Sequence, residues 1–160
     1  LIPITASALT IDVTGNFILD GITSTTLGGI SGLLTLAATG DVTFQNNASS
    51  HNGAVTVNAD NDINVQVDVT SGGDFTAVAD NDSSGAGDFV LDSGVTAEAT
   101  AGDIDITAVQ IEENGTLTAS GDVIQNGVIT QLNASDQTDV DSATDSAFVT
   151  DFTSPTEAGC

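Results

Sequence analysis

Lysine and arginine are absent from the 160 residues, and 23 Asp and Glu accompany a single histidine, for a formal charge of −23 at pH 7. A surface of that sign repels nucleic-acid phosphates and anionic lipid headgroups, which argues against both as partners and leaves cations as the expected ones. Salt bridges are limited to the N-terminus and a protonated His51. Self-repulsion on this scale has to be relieved by spacing, screening salt, bound metal or protonated carboxylates. Trypsin-like proteases find no site in such a chain, and the acidic proteome of a salt-adapted organism shows the same bias. Both readings place the protein outside the cell or in a salty cytoplasm.

Trp, Tyr and Met are missing too, and six Phe are the only aromatic residues. No apolar run is long enough to span a bilayer and no signal peptide is recognisable, so the chain reads as one that begins after processing. The single cysteine, Cys160, is the last residue, which rules out an internal disulfide framework. It is a candidate for an intermolecular crosslink or a lipid, or is simply a free thiol.

Val, Ile, Leu, Thr, Asn, Asp and Gly dominate what remains, a mixture suited to strands and turns. Internal similarity is the strongest signal. Gly32-Leu-Leu-Thr-Leu-Ala-Ala-Thr-Gly40-Asp41-Val-Thr-Phe44 is echoed by segments beginning at Gly53, Gly73, Gly94 and Gly115, spaced 21, 20, 21 and 21 residues apart, with an earlier member over Ala8–Leu19. A period in this range marks a solenoid. Each segment opens on a turn dipeptide such as Asn52-Gly53 or Ser93-Gly94, where positive φ is expected. A strand with alternating apolar residues follows, then a Gly-Asp or Asn-Asp corner, a second short strand and a weaker third.

The expected fold is therefore all-β, a parallel β-solenoid of about six coils with 20–21 residues each over residues 7–132. Glu98 is expected to stay out of the core through a one-residue bulge that turns Val95, Ala97 and Ala99 inward. Residues 1–6 read as a cap or donated strand. Residues 133–160 read as an acidic tail holding Asp139, Asp141 and Asp145, with one docking strand at 147–152. An antiparallel sandwich or jelly roll is the alternative, since it too has many short strands.

The Gly-x-Leu/Val-Thr-Leu/Val runs joined to Gly-Asp-Val/Ile, at Gly32–Phe44, Gly94–Ile106 and Gly115–Val123, resemble the repeats of filamentous-haemagglutinin-type exoproteins and related large bacterial surface adhesins. The resemblance covers about residues 7–132. It implies a right-handed parallel β-helix, export, and a role in adhesion or matrix building. The family's amino-terminal secretion cap is not recognisable here.

Candidate sites fall at the corners. Asp80, Asp82, Ser84 and Asp88, with Gly85, follow the opening of a calcium loop, although Leu91 stands where its closing bidentate acid belongs. Ca2+ is thus the one cofactor suggested, against a plain polar Gly/Ser bulge. Asp41, Asp62, Asp82, Asp103 and Asp122 are expected to stack on one edge and to splay into water. Asn47, Asn81, Asn114 and Asn133 lie in Asn-x-Ser/Thr sequons and are glycosylation candidates. His51, in a Ser-Ser-His-Asn turn without an evident triad partner, is expected at the surface.

No catalytic set emerges, so the protein is read as a non-enzyme. A polysaccharide lyase on this fold would need basic residues, and a paired-carboxylate glycosidase lacks Trp or Tyr sugar platforms. The expected function is a secreted structural protein that assembles with copies of itself at the cell surface. A glycan- or receptor-binding adhesin module, with or without calcium, is the alternative, and a polysaccharide-processing enzyme is the third.

Overall fold

A computed structural model describes residues 7–131. The cap or donated strand expected over residues 1–6 and the tail expected over 133–160, with Asn133, residues 147–152 and Cys160, lie outside the described residues.

The described chain is all-β and parallel, wound into a β-solenoid of about six turns. The first face stacks β1 (Ala8–Val13), β3 (Leu33–Ala38), β6 (Val55–Ala59) and β9 (Phe75–Val78). The second stacks β2 (Phe17–Leu19), β4 (Val42–Phe44), β7 (Ile63–Val65) and β10 (Asp88–Leu91). In the last two coils β12 (Ile104–Glu113) and β14 (Val123–Gln131) run through both faces, joining them into one sheet. The third face is a separate sheet of β5 (Ser49–His51), β8 (Val69–Ser71), β11 (Thr96–Ala99) and β13 (Thr116–Ala119).

Because paired residues of successive coils lie directly above one another, the alternation within each strand becomes columns of side chains along the axis. Leu34, Val55, Phe75 and Ile104 form one inward column, and Leu36, Val57, Ala77 and Ile106 the next. On the second face Val42, Ile63, Phe89 and Ile111 stack, beside Leu19, Phe44, Val65, Leu91 and Glu113. All of these are buried. Volume is balanced within a coil: the fourth holds Phe75 and Phe89, and its other inward positions include Ala77, Ala79, Ala97 and Ala99.

The repeat departs from the expected phase after residue 80. Register places Leu9, Leu34, Val55, Phe75, Ile104 and Val123 at one level of the first face, at intervals of 25, 21, 20, 29 and 19 residues. The segments at Gly94 and Gly115 therefore open third-face strands, since β11 pairs with β8 and β13. The corner between the third and first faces also reads as strand, Gly-Asp, strand, so the motif cannot report which face it precedes. Fixed phase also removes the need for a bulge at Glu98: β11 pairs in unbroken register, with Ala97 and Ala99 inward and Glu98 facing out.

The corner glycines serve a different purpose from the one expected. Gly53 and Gly72 do not have positive φ, but a Cβ on either would lie 2.2 Å from Gly32 O or 2.0 Å from Asn52 O of the neighbouring coil. Close stacking of backbone on backbone excludes a side chain there; Gly94, at φ +79, is the opener that fits the original expectation.

Removing one of the three buried Phe side chains tests this packing. Phe75→Ala should lower the unfolding free energy by about 3–5 kcal/mol in urea, whereas the outward Thr56→Ala should change it by less than about 1 kcal/mol; comparable losses would contradict the assignment of faces.

Candidate functional site

With no Lys or Arg available, the corner carboxylates turn to neutral donors, chiefly peptide N–H. Asn16 Oδ1 accepts from Asp41 N–H at 3.1 Å, Asp41 Oδ1 from Asp62 N–H at 3.4 Å, and Asp62 Oδ1 from Asp88 N–H at 2.9 Å. The corner before the first face repeats the pattern: Asp74 Oδ1 takes Asp103 N–H at 3.1 Å and Asp103 Oδ1 takes Asp122 N–H at 2.8 Å. At the third corner Asp68 Oδ1 accepts from Thr96 N–H at 2.8 Å. Each bond closes a peptide donor that a corner would otherwise leave to water.

Sequence reasoning placed Asp41, Asp62, Asp82, Asp103 and Asp122 on one edge. The structure divides them between two corners, adds Asp74 and Asp88, and removes Asp82 to a loop. The side chains do not splay freely, because one oxygen of each inner member is held by the next coil. Asn amides supply further donors: Asn47 Nδ2 reaches Asp20 Oδ1 at 2.6 Å, and Asn81 Nδ2 reaches Asp60 Oδ1 at 3.3 Å. The sequon residues Asn47 and Asn81 are exposed and Asn114 is half-buried, all three between strands.

Coil four is the 29-residue one because residues 79–87 stand between β9 and β10. This loop is tightly held. Asp80 Oδ1 accepts from Ser84 Oγ at 3.0 Å and Gly85 N–H at 2.9 Å, and Asp82 Oδ1 from Ser84 N–H at 3.1 Å. Asp80 and Ser83 have positive φ, +61° and +59°. Gly87 lies so close to Asp80 that a Cβ would be 2.3 Å from its backbone nitrogen. Of the calcium candidates, Asp80 and Ser84 are brought together, Asp82 turns to the Ser84 amide, and Asp88 starts the strand beyond. Among the described residues no three His, Cys, Asp or Glu side chains converge in a metal-binding arrangement.

Burial alone would raise the Asp80 carboxyl, but the Gly85 N–H, the Ser84 hydroxyl and the amides of Ala86 and Ser84 outweigh it and hold the group below its ordinary value.

His51 is not at the surface. It is the inward residue ending β5 and is 4% exposed, because the expected turn is a third-face strand. Its Nε2 lies 2.6 Å from Gly32 O, so that nitrogen donates, and Ser24 Oγ lies 3.4 Å from Nδ1. The serine was not legible as a partner, since the Thr/Gly-rich segment around Ile22–Ile30 gave no strand signal. Ser24 Oγ also accepts from Asn52 N–H at 2.8 Å. The pair ties the first coil's third segment to the second coil, with a backbone carbonyl in the place an orienting acid would take.

Comparison with protein-family models, curated proteins and solved structures finds no match.

Two outcomes follow from the hydrogen bonds to carboxylate. Asp103→Asn retains an acceptor oxygen and should match or exceed the parent's stability at low salt, whereas Asp103→Ala should lose about 1 kcal/mol; urea unfolding of both variants at two ionic strengths measures this. For Asp80, the lowered value means that its stabilisation is present above the ordinary carboxylate range and is lost as pH falls through the folded-state value. Hydrogen-exchange protection of the Gly85 amide should persist through the ordinary carboxylate range, collapse below it, and lose this pH dependence in Asp80→Asn.

Proposed function

We propose that this chain is an extracellular structural protein, a subunit of a cell-surface fibre, sheath or matrix in which coils of one copy stack on coils of the next. The observation that carries this reading is where unpaired edges and exposed apolar side chains fall. Among the described residues β1 and β2 pair only with β3 and β4, and the far side of β14 pairs with no strand. Such edges template further strands. Ile18 is 59% exposed in the first coil, and Ile124 and Val128 are 40% and 63% exposed in the last. The intervening outward columns are mainly polar, with Thr35, Thr56 and Thr76 on the first face and Thr43 and Asn64 on the second. The apolar exceptions are Val78 and Val90, both half-buried, and Leu33 at the start of β3, at 43% exposure.

Stacking end to end would cover these apolar side chains and pair both edges. The charge of −23 opposes it, so screening salt favours it. A place outside the cell is supported by the missing trypsin sites and by the sequons between strands. The reading includes no catalytic step.

Electron microscopy of the purified chain across a salt series tests the proposal. Filaments should lengthen as ionic strength rises, and Ile124→Glu combined with Val128→Glu should abolish them while leaving the circular dichroism unchanged. Monodisperse monomers at high concentration and high salt would sink the reading.

A further inference from the structure

The long turn of coil four stands away from the corner and leaves an open cleft of ≈ 320 Å³. Its lower wall is Asn61 and Asp62 of coil three, its side the Gly85–Asp88 segment, and its upper wall Val109 and Gln110 of coil five. From the cleft's surroundings we infer that it is a binding site for a neutral sugar ring, presented as one unit of a glycan.

The walls are fixed before any ligand arrives. Asp88 N–H is bonded to Asp62 Oδ1 at 2.9 Å and Val109 N–H to Gly87 O at 2.8 Å, so the insertion is tied to the coils on both sides. Its own fold is locked by the Asp80 carboxylate. Little ordering cost would therefore fall on binding.

The lining selects the ligand by elimination. No Lys or Arg exists to receive an anion, His51 does not line the cleft, and the net charge repels one. A bare metal ion would find only the Asp62 and Asp88 carboxylates as charged ligands in the cleft, and among the described residues no three His, Cys, Asp or Glu side chains converge. An apolar ligand would strand the polar groups that face it. What remains is a ligand with many hydroxyl groups. Among the described residues the side-chain amides of Asn61 and Gln110 and the Asp88 carboxylate have no hydrogen-bond partner, and Asp62 keeps one oxygen unengaged. Carboxylates accept from hydroxyls, amides both accept and donate, and Ala86 and Val109 offer methyl groups to ring C–H bonds. The volume is at the lower end for small-molecule sites, enough for one ring, and the open sides let a chain continue. Without an aromatic platform, affinity should be millimolar.

Chemical-shift mapping of the full chain with neutral methyl glycosides of glucose, galactose, mannose and N-acetylglucosamine tests this, with methyl glucuronide and calcium chloride as charged probes. At least one neutral glycoside should give saturable shifts at Asn61, Gly85–Asp88, Val109 and Gln110, and glucuronide none. The exposed Gln110→Ala should weaken that binding about tenfold, the loss of one hydrogen bond, without altering the spectrum elsewhere. Absence of cleft shifts with every neutral glycoside, equal binding by Gln110→Ala, or cleft shifts given by calcium alone would overturn the inference. Filament formation scored on the same samples is a separate readout, since the cleft lies at the corner of coils three to five rather than at an end.

Discussion

The backbone hydrogen bond from one coil to the next is the interaction on which this structure rests. It fixes the vertical spacing, and with it the requirement that each inward residue sit on the inward residue one coil below. Every side chain then has two privileged neighbours, above and below, and few others. The core is a bundle of columns, and fit is negotiated locally: the two Phe of coil four are offset by Ala within the same coil and by Val or Ile across the stack. The same spacing forbids a Cβ at Gly53 and Gly72, where peptide passes against peptide. It also explains how Glu113 and His51 come to be buried. Each occupies an inward slot dictated by register, and each is met there by a side chain from a neighbouring coil, Gln125 for the carboxylate and Ser24 for the imidazole.

The second constraint is electrostatic. In a chain without lysine or arginine, carboxylates have almost no opposite charge to pair with, and stacking should bring those at equivalent corners close together. The fold answers with dipoles in place of charges. Peptide N–H groups at three corners and the amides of Asn16, Asn47 and Asn81 point at Asp oxygens, so the acid positions help build the turn as well as making the surface anionic. Hydrogen bonds of this kind depend on an acceptor oxygen rather than on a full charge, which is why Asn16 can begin a ladder that Asp41 and Asp62 continue.

Much of this was legible in the sequence because column packing writes itself as a repeat. The fold class, the number of coils and the inward faces of β3, β6 and β7 follow from alternation and from the Gly-to-Gly-Asp spacing. The phase beyond residue 80 did not follow, since the strand–Gly-Asp–strand motif occurs at two of the three corners and a turn enlarged over residues 79–87 shifts the count without disturbing the motif. The glycine openers were recognised, yet for dihedral freedom rather than close approach; a spacing pattern does not distinguish the two. His51 was misplaced because Ser49 and His51 are polar inward residues, and polarity is the property by which sequence reading assigns a position to the outside. The cleft was signalled only as a failure of the repeat. Its walls come from residues 61 and 110, which no local motif connects.

The bonds from corner peptides to Asp and Asn side-chain oxygens share a direction. In every one of these the oxygen belongs to the earlier coil and the peptide N–H to the later: Asn16 before Asp41, Asp62 before Asp88, Asp68 before Thr96, Asp103 before Asp122. Along the chain, each new corner thus follows an acceptor supplied by the coil that precedes it. The ladder is therefore polar: a coil added after the last would supply a peptide N–H to it, and a coil added before the first would supply an oxygen.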